Sequence, residues 1–249
     1  MLLAPLCHKL DQMFKKIWWG FPSKKARNLS LKSWDSHCLP KSQGGLGFRK
    51  MKDVNLALIS KLGWKLHTGS DSMWVSQLTG KYLLFGSFLL CPHPSPPPQF
   101  LSFLALERHP SLQQTISQGA CHRVHSQSPL SVWNFPWIPT IPSFTPSSSP
   151  NLNPPDLVVS DLISPNAAWN LPLLISPFDP SSVREIQKVK IHSHPKIDLW
   201  TPTPNGIFSS SSAYKLICSL RVSSSSRFDC KSWNLPWKLN LNVRLKLFL

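Results

Sequence analysis

Hydrophobic residues recur at helical spacing through the first third of the chain. Leu3, Leu6, Leu10, Met13, Phe14 and Ile17 share one face, with Lys9, Lys15 and Lys16 on the other. The pattern predicts an amphipathic helix that Gly20 and Pro22 stop. Leu29 to Trp34 alternates apolar and polar residues, the signature of a short strand or extended segment. Pro40 and the glycines at 44, 45 and 47 predict a turn. Asp53 reads as the N-cap of a second helix carrying Val54, Ala57, Leu58, Leu62 and Leu66 and closing at Gly69. A third helix is expected after Asp71, where Trp74, Leu78 and Tyr82 stand four residues apart. The aromatic residues of this zone are expected to form the core of a small helical unit.

The middle of the chain breaks this regularity. Pro92–Pro98 reads as a polyproline II segment, and residues 139–155 are rich in Pro and Ser and are expected to lack structure. Periodicity returns after Pro180, where Ser181 and Ser182 cap a short helix through Val183, Ile186 and Val189. Ile197–Trp200 then reads as a strand, Thr203-Pro204-Asn205-Gly206 as a turn, and Ile207–Ser209 as the second strand of a hairpin. Ser210 to Ser212 are expected to cap a helix carrying Ala213, Tyr214, Leu216, Ile217 and Leu220. The expected fold is therefore mainly α, with an irregular middle, a small β-hairpin and helices near the C-terminus. It reads as an incomplete fold, partly disordered.

Charge sharpens the division. The 249 residues carry 27 Lys+Arg against 11 Asp+Glu, a formal charge of +16. Residues 1–70 hold 13 basic and 3 acidic side chains, whereas residues 92–182 hold two basic residues and 18 of the 25 prolines. Three zones follow: a basic helical region over 1–90, a Pro/Ser-rich linker over 91–182 and a third block over 183–249. Such an excess of cations suits an anionic partner, held through phosphate contacts and counterion release. The best candidates for contact with RNA or single-stranded DNA are Lys24, Lys25, Arg27, Lys32, Lys41, Arg49, Lys50 and Lys52. Trp18, Trp19, Phe21 and Trp34 lie among them, able to stack on bases or to serve as buried supports beneath a solvated face.

Other chemistries find little support. Gly44-Gly45-Leu46-Gly47 is followed by Phe48-Arg49, without the Lys-Ser/Thr of a phosphate loop, so it reads as a tight turn. The six cysteines include no Cys-x-x-Cys; Cys121, His122 and His125 offer half of a zinc site at irregular spacing, and no metal or cofactor is expected. Metal-dependent polymerase or nuclease chemistry needs converging carboxylates, yet the chain has no Asp-Asp pair and no Gly-x-Ser-x-Gly. Neither an enzyme nor a small-molecule substrate is expected. The longest apolar run, Tyr82 to Cys91, falls short of the ~20 residues of a membrane span. No signal peptide is recognised, so the cysteines read as reduced and the chain as intracellular, nuclear or cytoplasmic.

The order of several motifs resembles a known family. Trp34-Asp35, Cys38-Leu39-Pro40-Lys41 and Gly44-Gly45-Leu46-Gly47-Phe48-Arg49 come first. Gly119-Ala120-Cys121-His122-Arg123-Val124 follows, then Val132-Trp133-Asn134-Phe135-Pro136-Trp137-Ile138-Pro139 and Val159-Ser160-Asp161-Leu162-Ile163. Together they are similar to the region after the polymerase domain in plant non-LTR (LINE-type) retrotransposon reverse transcriptases. Residues 183–249 resemble the opening of the zinc-binding module of those proteins. Residues 92–116 do not match, a pattern that a short out-of-frame passage would produce. The resemblance implies a non-catalytic fragment of an RNA-directed DNA polymerase polyprotein, retaining sequence-independent nucleic-acid binding. The apolar end at Val243–Leu249 is expected to reflect truncation within that module. Two alternatives remain open: a domesticated basic nucleic-acid-binding protein, and a proline-rich interaction protein working through Pro94 and Pro97.

Overall fold

The computed structural model describes residues 4–20, 32–82, 110–148, 156–194, 198–222 and 238–242. Among them the elements run α1 (Ala4–Trp19), α2 (Trp34–His37), a 3₁₀ turn (Lys41–Gln43), α3 (Met51–His67), α4 (Met73–Tyr82), α5 (Pro110–Ser117) and β1 (Ala120–Cys121). A second 3₁₀ turn (Val159–Leu162) follows, then α6 (Leu171–Ile175), α7 (Pro180–Lys188), β2 (Leu199–Trp200) and α8 (Ser210–Val222). The described residues fall into two compact units, each assembled from separated stretches. One comprises residues 4–20, 32–63, 110–115, 209–222 and 238–242; the other comprises 64–82, 116–148, 156–194 and 198–208.

In the first unit α1 ends as expected, at a left-handed Gly20 whose amide donates to the Lys16 and Ile17 carbonyls at 3.1 Å. Its burial differs from the expectation. Cys7 and Asp11 face inward, while Leu6, Met13, Phe14 and Ile17 stay exposed, Ile17 at 72%. The reason lies at α3. The Asp11 carboxylate accepts from the Met51 amide at 3.1 Å, so a side chain 40 positions away serves the first free amide of that helix. Asp53, expected as the cap, sits inside the first turn of α3 and is buried against Arg221 of α8, Nη1 to Oδ2 2.5 Å. Burial holds its carboxyl above the ordinary range, against the opposing pull of Arg221.

The segment expected as a strand before Trp34 is also different. Residues 29–31 lie outside the described residues. Ser33 turns the chain into one helical turn, Trp34–His37, by accepting from the Ser36 amide at 3.2 Å. The expected glycine turn does form. Gly44 and Gly47 adopt positive φ of 77° and 73°, while a Cβ on Gly45 would overlap the Leu39 carbonyl. In α8 the cap is Ser209, one position before the expected serines. Its Oγ accepts from the Ser212 amide at 3.1 Å, and the Ser212 hydroxyl accepts from the Ser209 amide at 3.3 Å.

The second unit holds the larger surprise. Its backbone is irregular, as the prolines predict, and is joined by isolated bridges such as Ser131 with Val158 and Ile163 with Trp169. Yet it is tightly packed: Val124, Val132, Trp137, Ile138, Val159, Leu162, Leu174, Phe178 and Ile186 are all buried in one cluster. The Trp137 indole donates to the Val132 carbonyl at 2.9 Å, which lets the largest side chain sit inside with its polar atom satisfied. Residues 139–148, expected to lack structure, fold back so that the Trp137 and Ile138 amides both donate to the Phe144 carbonyl at 2.9 Å. Residues 149–155 lie outside the described residues, as does Pro92–Pro98. Asp179 rather than a serine caps α7, accepting from the Ser181 amide at 3.1 Å with Pro180 in the first turn.

The expected hairpin is replaced by a long-range pair. β2 runs antiparallel to β1, with Ala120 opposite Trp200 and Cys121 opposite Leu199. The turn is present, with Gly206 at φ +70° and the Trp200 amide donating to its carbonyl at 3.0 Å. Ile207 and Phe208 leave it as coil: the Ile207 amide is taken by the Asn205 side chain at 3.1 Å, and the other edge of β2 is already occupied by β1. Trp200 is fully buried and packs on Trp64 and Phe208, ring centroids 5.2 and 4.6 Å apart.

Candidate nucleic-acid interface

The segment from Ser33 to Arg49 wraps an aromatic cluster. His37, wholly buried, stacks on Trp34 (6.0 Å, 21°) and meets Trp18 and Trp19 edge-on. Its Nδ1 is 2.7 Å from the Ser33 carbonyl, which fixes the ring across the one-turn helix. Burial lowers the pKa of His37; the Ser33 hydrogen bond opposes this, and the nearby Lys15 and Lys32 charges reinforce it. Phe48 continues the cluster, stacked on Trp34 (5.5 Å, 29°) and edge-on to Trp18 at 5.0 Å.

Beside this cluster opens a pocket of about 430 Å³, lined by Phe14, Ile17, Trp18, Trp34, Phe48, Arg49, Met51 and Val54. Among the described residues, Arg49 is its single charged lining residue. The guanidinium carbon stands 5.6 Å from the centre of the Tyr214 ring, a cation–π contact that leaves the charge exposed.

The candidate contact residues therefore separate. Lys32 is half-buried and Lys41 and Lys52 are exposed, while Arg49 and Trp34 both line the pocket. Lys50 pairs with Asp35 at 2.5 Å, which neutralises part of its charge. Among the described residues no carboxylate pairs with Arg49 or Lys52. Lys24, Lys25 and Arg27 lie outside the described residues. Trp34, which the sequence leaves able either to stack on bases or to support a solvated face, is half-buried and lines the pocket. Phe14, Ile17, Met51 and Val54 were missed as site residues. Read along α1, Phe14 and Ile17 looked like ordinary core positions, and only their exposure marks them.

A second polar cluster lies in the other unit. Asp198 Oδ2 is 2.8 Å from His67 Nε2 and 3.0 Å from His122 Nδ1. Burial alone would raise the Asp198 pKa, but the hydrogen bonds and charges of His122 and His67 outweigh it and bring it to about 2. Cys121, next to this group, is pushed up to about 12 by burial and by Asp198, which makes it an inert thiol. The suggested half-site of Cys121, His122 and His125 does not converge, since His122 is held by Asp198 and the His125 backbone bridges to His192. Among the described residues no group of three His, Cys, Asp or Glu side chains is arranged to hold a metal ion.

The chain is similar to two plant proteins. One, from Arabidopsis thaliana, carries a provisional ribonuclease H name; it is 28% identical over 259 aligned positions that take in all of this chain and 40% of the relative. The other is an uncharacterized mitochondrial protein of the same plant, 30% identical over 87 positions, 34% of this chain and 56% of the relative. The chain thus spans well under two thirds of either. These similarities support the retrotransposon-related, plant origin that the motifs suggest. No family model matches the chain, and no solved structure matches it. Among the described residues no helix is long and apolar enough to cross a membrane.

Proposed function

We propose that this chain is a non-catalytic part of a non-LTR retrotransposon reverse transcriptase polyprotein, covering the region after the polymerase domain and, in residues 183–249, the start of the zinc-binding module. In this reading it binds RNA or single-stranded DNA without sequence preference. One observation carries the reading: Arg49, unpaired with any described carboxylate, lines an aromatic-walled pocket, and the exposed Lys52 adds a second such cation on a chain of net charge +16. Cations that lack acidic partners are available to phosphates, and aromatic rings next to them suit single-stranded nucleic acid.

The ribonuclease H name belongs to the relative. Nuclease chemistry of that kind draws two or more carboxylates onto metal ions. Here Asp35 pairs with Lys50, Asp53 with Arg221 and Asp198 with two histidines, and Asp11 receives the Met51 amide. These carboxylates are dispersed into separate structural tasks, which favours the non-catalytic reading. Titrating the full chain with fluorescent single-stranded oligomers of unrelated sequence at low salt tests it. Comparable binding to all of them, weakening as salt rises, is expected; no binding at low salt would end the proposal.

A further inference from the structure

We infer that the pocket beside the aromatic cluster is a nucleobase site, so that the chain grips a single strand by an unstacked base as well as by its phosphates. This rests on the nucleic-acid reading above and adds to it a ligand class and a place. The pocket measures about 430 Å³, within the range of small-molecule sites, and its surface is almost wholly apolar. Trp34, nearly parallel to His37 (21°) and to Phe48 (29°), lines the pocket together with Phe48. A flat π-system entering the pocket meets these aromatic walls, as bases meet the aromatic platforms of single-strand binders.

Charge selects among the occupants that an apolar pocket could take. Arg49 lines it, the exposed Lys52 follows the lining Met51 in sequence, and among the described residues no carboxylate lines it. A neutral hydrocarbon would leave these cations unused, whereas a nucleotide brings a phosphate with every base. The exposed Phe14 and Ile17 on the α1 side are explained in the same way, since they form the rim that a base covers.

The test titrates the full chain, at one fixed salt concentration, with labelled oligothymidylate, an abasic oligomer of equal length and a duplex. Oligothymidylate should bind on the order of tenfold more tightly than either of the others. Val54→Phe, which fills the pocket from α3, should remove that preference and bring oligothymidylate down to the affinity of the abasic oligomer. Equal affinity for the base-bearing and abasic oligomers would overturn the base site while sparing the nucleic-acid reading. A Val54→Phe variant that keeps the preference would overturn it too, as would pocket-dependent capture of an acidic amphipathic peptide without any base dependence. Failure of all three oligomers to bind at low salt would overturn both proposals.

Discussion

His37 shows how a single side chain couples the aromatic cluster to pH. Its folded pKa lies below the ordinary value of about 6.5, chiefly through burial, with Lys15 and Lys32 adding repulsion. The unfolded chain therefore binds the proton more readily. The contribution of neutral His37 to stability is complete above about pH 6.5 and declines as pH falls below it. Thermal unfolding followed from pH 7.5 to 5 should show a falling midpoint, and His37→Phe, which keeps a ring but cannot ionise, should flatten that slope. Gly45 is the steric counterpart. Its α-hydrogen faces the Leu39 carbonyl where a methyl would overlap, so Gly45→Ala should destabilise by about 1–3 kcal/mol in denaturant titration. The neighbouring glycines need freedom of φ, whereas this one needs space, a difference that the Gly-Gly-Leu-Gly string does not display.

At the level of elements, interactions distant in sequence decide where local patterns end. The helical period of α1 and α3 and the glycine turn were legible in the sequence, because each rests on residues within a few positions of one another. The cap of α3 was not, since Asp11 is 40 positions from Met51 and Asp53 offered a plausible local signal. Asp11→Ala should therefore destabilise by about 1 kcal/mol, comparable to loss of an N-cap, as measured by chemical unfolding. The strand after Pro195 failed in the same way. Leu199–Trp200 was recognised as extended, but its partner Ala120–Cys121 lies about 80 residues earlier, while the nearby Asn-Gly turn suggested a hairpin. Asp198, immediately before β2, binds His122 beside β1 and His67 at the end of α3. Against the opposing effect of burial, the two histidines hold its pKa down at about 2, so its contribution, about 2 kcal/mol, is present above about pH 4 and lost as pH falls toward 2. Asp198→Asn should remove that acid-labile component, and an unchanged acid-unfolding profile would contradict the assignment.

For the whole molecule, composition misled about the middle zone and informed about the charge. Eighteen prolines announced an irregular backbone correctly, but irregularity is compatible with close packing. Val124, Val132, Trp137 and Phe178 bury their side chains from turns, coil and isolated bridges, and only short helices such as α7, with Ile186, complete the cluster. The candidate site was half legible: its basic and aromatic residues stand out in the sequence, but which cations have acidic partners depends on the fold. Lys50 is paired with Asp35, whereas no described carboxylate pairs with Arg49, although the two are adjacent. The account of function therefore rests on Arg49 and Lys52 meeting phosphates. The most direct test measures the affinity of the full chain for a single-stranded oligomer from low to moderate salt, in the natural sequence and in Arg49→Gln/Lys52→Gln. The account predicts a linear fall of log affinity with log salt whose slope is shallower in the double variant by about 0.7 for each lost contact. An unchanged slope in the variant, or affinity indifferent to salt in both, would contradict it.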